Sequence, residues 1–102
     1  METQELTLVT IIAERFLRDQ LVERIRELGS RGFTLTDVSG EGSRGIRAHE
    51  WEGPSVKIET LVTPGVAERI VEATAGYFEH HALIVYTSSV RVVRKQKFEH
   101  EG

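Results

Sequence analysis

Ser55-Val56-Lys57-Ile58-Glu59-Thr60-Leu61-Val62-Thr63-Pro64 holds two signals side by side. Val56, Ile58 and Thr60 alternate with Lys57 and Glu59, so one face of an extended segment is largely apolar and the other charged. That period of two predicts a half-buried strand over Ser55–Val62. The pattern then breaks. Thr63 offers a hydroxyl at an N-cap, and Pro64 suits the first helical position, where its missing N–H costs nothing. A strand feeds directly into a helix.

Working outward, Ala67, Ile70, Val71, Thr74 and Phe78 recur at helical spacing and predict an amphipathic helix over Pro64–Phe78. Ala82–Val93 reads as a long apolar strand, and Arg94–Gly102 as a charged tail that adds a short strand or stays loose. In the other direction, Gly40–Pro54 is a loop holding four of the nine glycines and the only tryptophan, Trp51. Loops of that length in a compact domain are usually functional or disordered. Phe33–Ser39 returns to strand character. Leu17, Leu21, Ile25 and Leu28 share one face of a helix over Glu14–Leu28, with Gly29 as its stop. Leu6, Leu8, Thr10 and Ile12 alternate in a first strand over Glu5–Ile12.

The order β-α-β-loop-β-α-β predicts an α+β, ferredoxin-like fold: an antiparallel sheet with two helices on one face. The other face is left open, which invites assembly through the sheet. The length of 102 residues fits a single domain over residues 1–102.

Composition excludes several function classes. The net charge of −3 argues against a general nucleic-acid binder, which needs a basic face. Without cysteine, the chain has no disulfide, no thiolate nucleophile and no cysteine-ligated zinc. Glu2 and Glu5 at the start do not suit a secretory signal, and no apolar run approaches the roughly 20 residues of a membrane span. A cytoplasmic protein is the expectation.

Within the loop, Gly40-Glu41-Gly42-Ser43-Arg44-Gly45-Ile46-Arg47 combines glycines, a hydroxyl and two arginines just after a strand. Glycine lets backbone N–H groups approach a ligand closely, and the guanidinium fork matches phosphate oxygens. The segment therefore suits an anion, above all a nucleotide phosphate held by Ser43, Arg44, Arg47 and the backbone at Gly40 and Gly42. The plainer explanation is a surface loop with solvated arginines.

Three segments in order resemble the PII and PII-like signalling proteins. Gly32-Phe33-Thr34-Leu35-Thr36-Asp37-Val38, followed by Gly40 and Gly42, is similar to the strand leading into that family's T-loop. Val56-Lys57-Ile58-Glu59 is similar to the strand leaving it, and Val90-Arg91-Val92-Val93-Arg94 to the last long strand. The likeness spans nearly the whole chain. It implies a homotrimer that binds adenine nucleotides in clefts between subunits, with a T-loop at about residues 40–54.

Departures from the typical PII pattern are equally specific. Glu79-His80-His81-Ala82-Leu83 lacks the glycines and the lysine that grip the outer phosphates of ATP. Arg44 stands where a glutamine assists magnesium and 2-oxoglutarate, and the loop has no tyrosine for uridylylation. Gly-x-Gly-Ser-Arg-x-x-Arg at 40–47 instead resembles the PII-like proteins of inorganic-carbon metabolism, the SbtB type and the carboxysome-associated PII proteins. That resemblance implies AMP, ADP or cyclic AMP as ligand ahead of Mg-ATP, and bicarbonate as a small anion beside the arginines. It also implies a bicarbonate transporter or another carbon-metabolism protein as partner, with recruitment to the inner membrane. The cysteine pair common at the SbtB C-terminus is absent.

Residue by residue, the resemblance implies that Thr34 contacts adenine and that Leu61 of a neighbouring subunit walls the base. Leu83 and Ile84 would offer backbone groups to the adenine edge, their side chains being ordinary core, and Arg94 would reach a phosphate across the interface. Trp51, flanked by Glu50 and Glu52, is either a partner-binding anchor or folds back on its own subunit. His80-His81 invites a metal reading, but adjacent residues point apart and no third ligand has a supporting spacing. With no nucleophile placed beside a base, no enzyme and no cofactor are expected. The competing reading is a CutA-like trimeric metal-responsive protein or a small enzyme on the same fold.

Overall fold

The computed structural model describes residues 1–39 and 54–94. In order they form β1 (Glu2–Glu14), α1 (Arg18–Glu27), β2 (Thr34–Val38), β3 (Ser55–Val62), α2 (Pro64–Ala75) and β4 (Leu83–Arg94). The strands make one antiparallel sheet in the order β2-β3-β1-β4. This is the ferredoxin-like α+β fold the pattern predicts.

Register sorts the side chains onto two faces. Val9, Ile11 and Ala13 stand opposite Thr60, Ile58 and Val56 on β3, and opposite Thr87, Val85 and Leu83 on β4. This face meets Leu17, Leu21 and Ile25 from the α1 side and Ala67 and Ile70 from α2, all buried. Each fully buried aliphatic side chain contributes about 1.5–3 kcal/mol, which makes this layer the main source of stability. Among the described residues, no helix covers the opposite face. It presents Leu8, Ile12, Leu61, Ile84 and Tyr86, and the last three are 48%, 45% and 47% exposed.

Both helices are bounded by local chemistry. Gly29 has φ +124°, and the N–H groups of Gly29 and Ser30 donate to the carbonyls of Arg26 and Ile25. This double closure is the Schellman cap, and glycine is the residue that tolerates its positive φ. At the start of α2, Thr63 accepts from the Val66 N–H and Pro64 occupies the first turn.

Several boundaries differ from the sequence expectation. The first strand runs from Glu2 to Glu14, beyond the expected Glu5–Ile12, because β4 pairs with it from Leu83↔Ala13 to Arg94↔Glu2. Tertiary pairing thus overrides the weak strand preference of Glu2-Thr3-Gln4. Arg94 consequently belongs to β4 and not to the tail. Residues Arg15–Leu17 form a short 3₁₀ turn, so α1 starts at Arg18 rather than Glu14. The second strand is shorter than Phe33–Ser39. Helix α2 stops at Ala75, three residues short of Phe78, where Gly76 caps it. Val71 and Phe78 are exposed, not core. Among the described residues, no helix is long and apolar enough to cross a membrane.

Candidate functional site

A recess opens where β2 and β3 fall out of step. Strand β2 begins at Thr34, opposite Glu59, whereas β3 continues to Val62. Beside Thr60 and Leu61 the chain is therefore the bend Gly32-Phe33 rather than a paired strand. The gap is a cleft of about 430 Å³ lined by Leu8, Gly32, Phe33, Thr34, Glu59, Thr60 and Leu61. That volume falls at the small end of ligand-binding pockets.

The lining divides by register. Leu8 and Leu61 face each other across β1 and β3 and give the recess an apolar floor. Thr34 and Glu59 face each other across β2 and β3 and give it a polar rim, with one hydroxyl and one carboxylate. The Arg26 guanidinium covers the Phe33 ring at 5.1 Å from its centroid. Among the described residues, no lysine or arginine lines the recess itself. Its described lining suits a small, mostly apolar group with a polar edge and offers a phosphate no cation. Behind the lining, Ser30 and Thr60 bring their hydroxyls within 2.7 Å of each other and both reach the Gly32 carbonyl.

Of the residues expected from sequence, Thr34 and Leu61 are brought together here within one protomer, whereas the resemblance implied that Leu61 comes from a neighbouring subunit. Leu83 is buried in the core layer at the first position of β4, opposite Ala13. Ile84 is not core, contrary to expectation: alternation along β4 turns it to the open face, level with Ile12. It lies three strand spacings from β2, about 14 Å. Arg94 ends β4 beside Glu2, eleven residues beyond Leu83 and so about 36 Å along the strand. Its Nε is buried without a hydrogen-bond partner among the described residues. Ile84 and Arg94 of one protomer thus cannot touch the same ligand. Gly40, Gly42, Ser43, Arg44, Arg47 and Trp51 lie outside the described residues. The strands that flank them are paired, with Val38 opposite Ser55.

Sequence reasoning missed Glu59, Leu8, Ser30 and Thr60. Glu59 had a signal, since it occupies the charged face of its strand within the Val56–Glu59 match. Thr60, a hydroxyl between Ile58 and Val62, was a weaker one. Nothing local links it to Ser30.

His81 is held by packing. The His81 ring meets Phe16 edge-on at 5.8 Å and lies 6.2 Å from Tyr77. Among the described residues, no three His, Asp or Glu side chains converge on a metal-sized position. A second groove, about 540 Å³, runs between α2 and the sheet, and Glu68, Glu72, Thr87 and Ser89 are among its walls. No residue that the sequence assigned to a binding role borders it among the described residues.

Comparison with known proteins now bears on this geometry. The family model of the nitrogen regulatory protein P-II matches residues 6–97. The nitrogen regulatory protein P-II of Rhodospirillum rubrum is 29% identical over 73 residues, covering 64% of this chain and 65% of that protein. The chain thus spans just under two thirds of the length of the curated relatives it matches. A crystal structure from Thermus thermophilus, described as PII-like signalling, is 47% identical with a TM-score of 0.80, covering 95% of this chain and 98% of that one. CPII from Thiomonas intermedia, bound to ADP, AMP and bicarbonate, is 23% identical with a TM-score of 0.78, covering 92% and 99%. At that identity the likeness speaks to fold alone. The family match over residues 6–97 and the shared fold agree with the three sequence segments, and this chain belongs to the nitrogen regulatory protein P-II family.

Proposed function

We propose that this protein is a non-enzymatic signalling module that assembles as a homotrimer and senses an adenine nucleotide, AMP, ADP or cyclic AMP ahead of ATP. The base enters the recess, where Leu8 and Leu61 supply apolar contact and Thr34 and Glu59 read its polar edge. The phosphate is held by Ser43, Arg44 and Arg47 with backbone N–H groups at Gly40 and Gly42. Leu83 and Ile84 at the start of β4, and Arg94 at its end, come from neighbouring copies. Ligand contacts that favour one arrangement of the loop change the surface, including Trp51, shown to a partner.

The observation that carries this reading is the convergence of Thr34 and Leu61, from different strands, on one recess. Trimeric assembly is supported by the exposed apolar face with Leu61, Ile84 and Tyr86, and by the separation of Ile84 from Arg94, which only a second copy can bridge. Bicarbonate as co-ligand, and bicarbonate uptake as the regulated process, are supported by the loop sequence and by the ligands of CPII. A partner at the inner membrane, a transporter, follows from the same resemblance.

Isothermal titration calorimetry against AMP, ADP, ATP and cyclic AMP, with and without bicarbonate, tests it. Saturable binding at about one nucleotide per subunit, lost in Arg44→Ala and Arg47→Ala, is the expected result. Unchanged affinity in both variants, or no binding to any nucleotide, overturns the reading.

A further inference from the structure

The recess is backed by a polar arrangement that the core does not need. Thr60 stands on the helix-side face of β3 between Ile58 and Val62 and is 2% exposed; Ser30, just after the Gly29 cap, is 6% exposed. Valine would fill position 60 with the same shape and leave no hydroxyl to satisfy. The Ser30 and Thr60 oxygens lie 2.7 Å apart, and the Gly32 carbonyl is 2.7 Å from Thr60 Oγ1 and 3.1 Å from Ser30 Oγ.

Each hydroxyl carries one proton. If both donated to Gly32, two oxygens would stand 2.7 Å apart with no proton between them. One hydroxyl must therefore donate to the other, which passes its own proton on to the carbonyl. The shorter contact assigns the carbonyl to Thr60, giving a chain from Ser30 to Thr60 to Gly32. Gly32 precedes β2 and has no ladder pairing. The hydroxyl chain ties this bend to β3, and Gly32, Phe33 and Thr34 form one wall of the recess. The Ser30 end is in turn fixed by its backbone N–H on Ile25 at the close of α1.

We propose that Thr60 and Ser30 are positioning residues for the ligand of this recess: by holding the Gly32 carbonyl inward they set the spacing between Thr34 and the Glu59–Leu61 edge, and hence which base fits. The proposal rests on the reading of the recess as a base-binding site. It extends that site to two buried hydroxyls that touch no ligand.

The test is calorimetric titration of ADP and GDP into the wild type, Thr60→Val, Thr60→Ser and Ser30→Ala, each checked for fold by circular dichroism. Thr60→Val keeps the shape but removes the 2.7 Å bond to the Gly32 carbonyl and leaves that carbonyl the longer 3.1 Å contact from Ser30. It should weaken ADP about tenfold, the equivalent of one net hydrogen bond, and narrow the preference for ADP over GDP. Thr60→Ser restores the hydroxyl and should restore both. Ser30→Ala should give a smaller loss, because the bond from Thr60 to Gly32 survives. A purely structural role would lower stability without moving the ADP to GDP ratio. A wild-type ratio in Thr60→Val, or equal losses in Thr60→Val and Thr60→Ser, overturns the proposal. Should Thr60→Val not fold, Ser30→Ala and Thr60→Ser decide it by the same ratio. If the wild type binds neither nucleotide, the base-site reading fails, and the proposal with it; that outcome is read from the wild type alone.

Discussion

The Arg15 guanidinium lies 3.0 Å from the Asp37 carboxylate, while the Arg15 backbone N–H donates to the Pro54 carbonyl, also at 3.0 Å. One residue at the end of β1 thus holds both the outgoing strand β2 and the start of β3. The segment with the candidate phosphate arginines leaves and returns between them.

The ion pair is half exposed on the arginine side and more so on the aspartate side, so its own contribution is small. A double-mutant cycle of Arg15→Ala and Asp37→Ala should give a coupling of about 0.2–1 kcal/mol, read from urea unfolding, and it should shrink as sodium chloride is raised. A coupling that persists at 1 M salt would contradict this account. The backbone bond to Pro54 needs no side chain, so it survives in both variants.

Gly29 carries a heavier structural constraint. Its φ of +124° is one that side-chain-bearing residues rarely adopt, and an added Cβ would lie 3.0 Å from Val66 Cγ2. Gly29→Ala should therefore destabilise the fold by about 1–3 kcal/mol, measured by denaturation at fixed protein concentration. Adding Val66→Ala should recover only the contact part of the loss.

Two buried threonines should respond in opposite ways to the same substitution. Thr10 Oγ1, opposite Glu59 and Tyr86 in register, is buried without a hydrogen-bond partner among the described residues. Thr10→Val removes an unsatisfied group and should be neutral or stabilising, by up to about 1 kcal/mol. Thr60→Val removes a satisfied hydroxyl, leaves the Gly32 carbonyl the 3.1 Å contact from Ser30, and should cost about 0.5–1.5 kcal/mol. Thermal melts of the pair, side by side, check the sign.

Much of this was legible in the sequence because the controlling signals are local. The alternation over Ser55–Val62, the Thr63-Pro64 cap and the Gly29 stop each settle an element by themselves. What was not legible depends on pairing. The sheet's reach to Glu2 is set by β4, at the far end of the chain, and the exposure of Ile84 follows from which face the helices cover. At the site, Thr34 and Leu61 were named from resemblance. The recess that joins them exists only because β2 starts later than β3 needs it to, and no short motif records that mismatch. The Ser30–Thr60 pair is hidden for the same reason.

The open face should govern assembly. Tyr86 is nearly half exposed there, opposite Thr10 on the neighbouring strand. Tyr86→Asp places a charge in the surface that the proposed trimer would bury, and charges at the centre of an interface are costly when unpaired. Sedimentation velocity should show a trimer for the wild type and a shift to monomer for the variant. An unchanged sedimentation coefficient would mean that copies meet elsewhere.

Glu59 offers the sharpest test of how the recess reads a base. Among the described residues it is the one charged side chain lining the recess, and it stands opposite Thr34. A carboxylate accepts from an exocyclic amino group but repels a carbonyl, while the Thr34 hydroxyl can donate to the adjoining ring nitrogen. This pair therefore favours the edge of adenine. Hydrogen bonds to a charged group contribute about 1.5–3 kcal/mol against about 0.5–1.5 for neutral ones. Glu59→Gln should accordingly weaken AMP by about fivefold to tenfold, using tenfold per 1.4 kcal/mol. Inosine monophosphate, which has a carbonyl in place of the amino group, should bind the variant no worse than the wild type and should gain on AMP. Parallel losses for both nucleotides would place Glu59 away from the base and assign it a general electrostatic role at the rim.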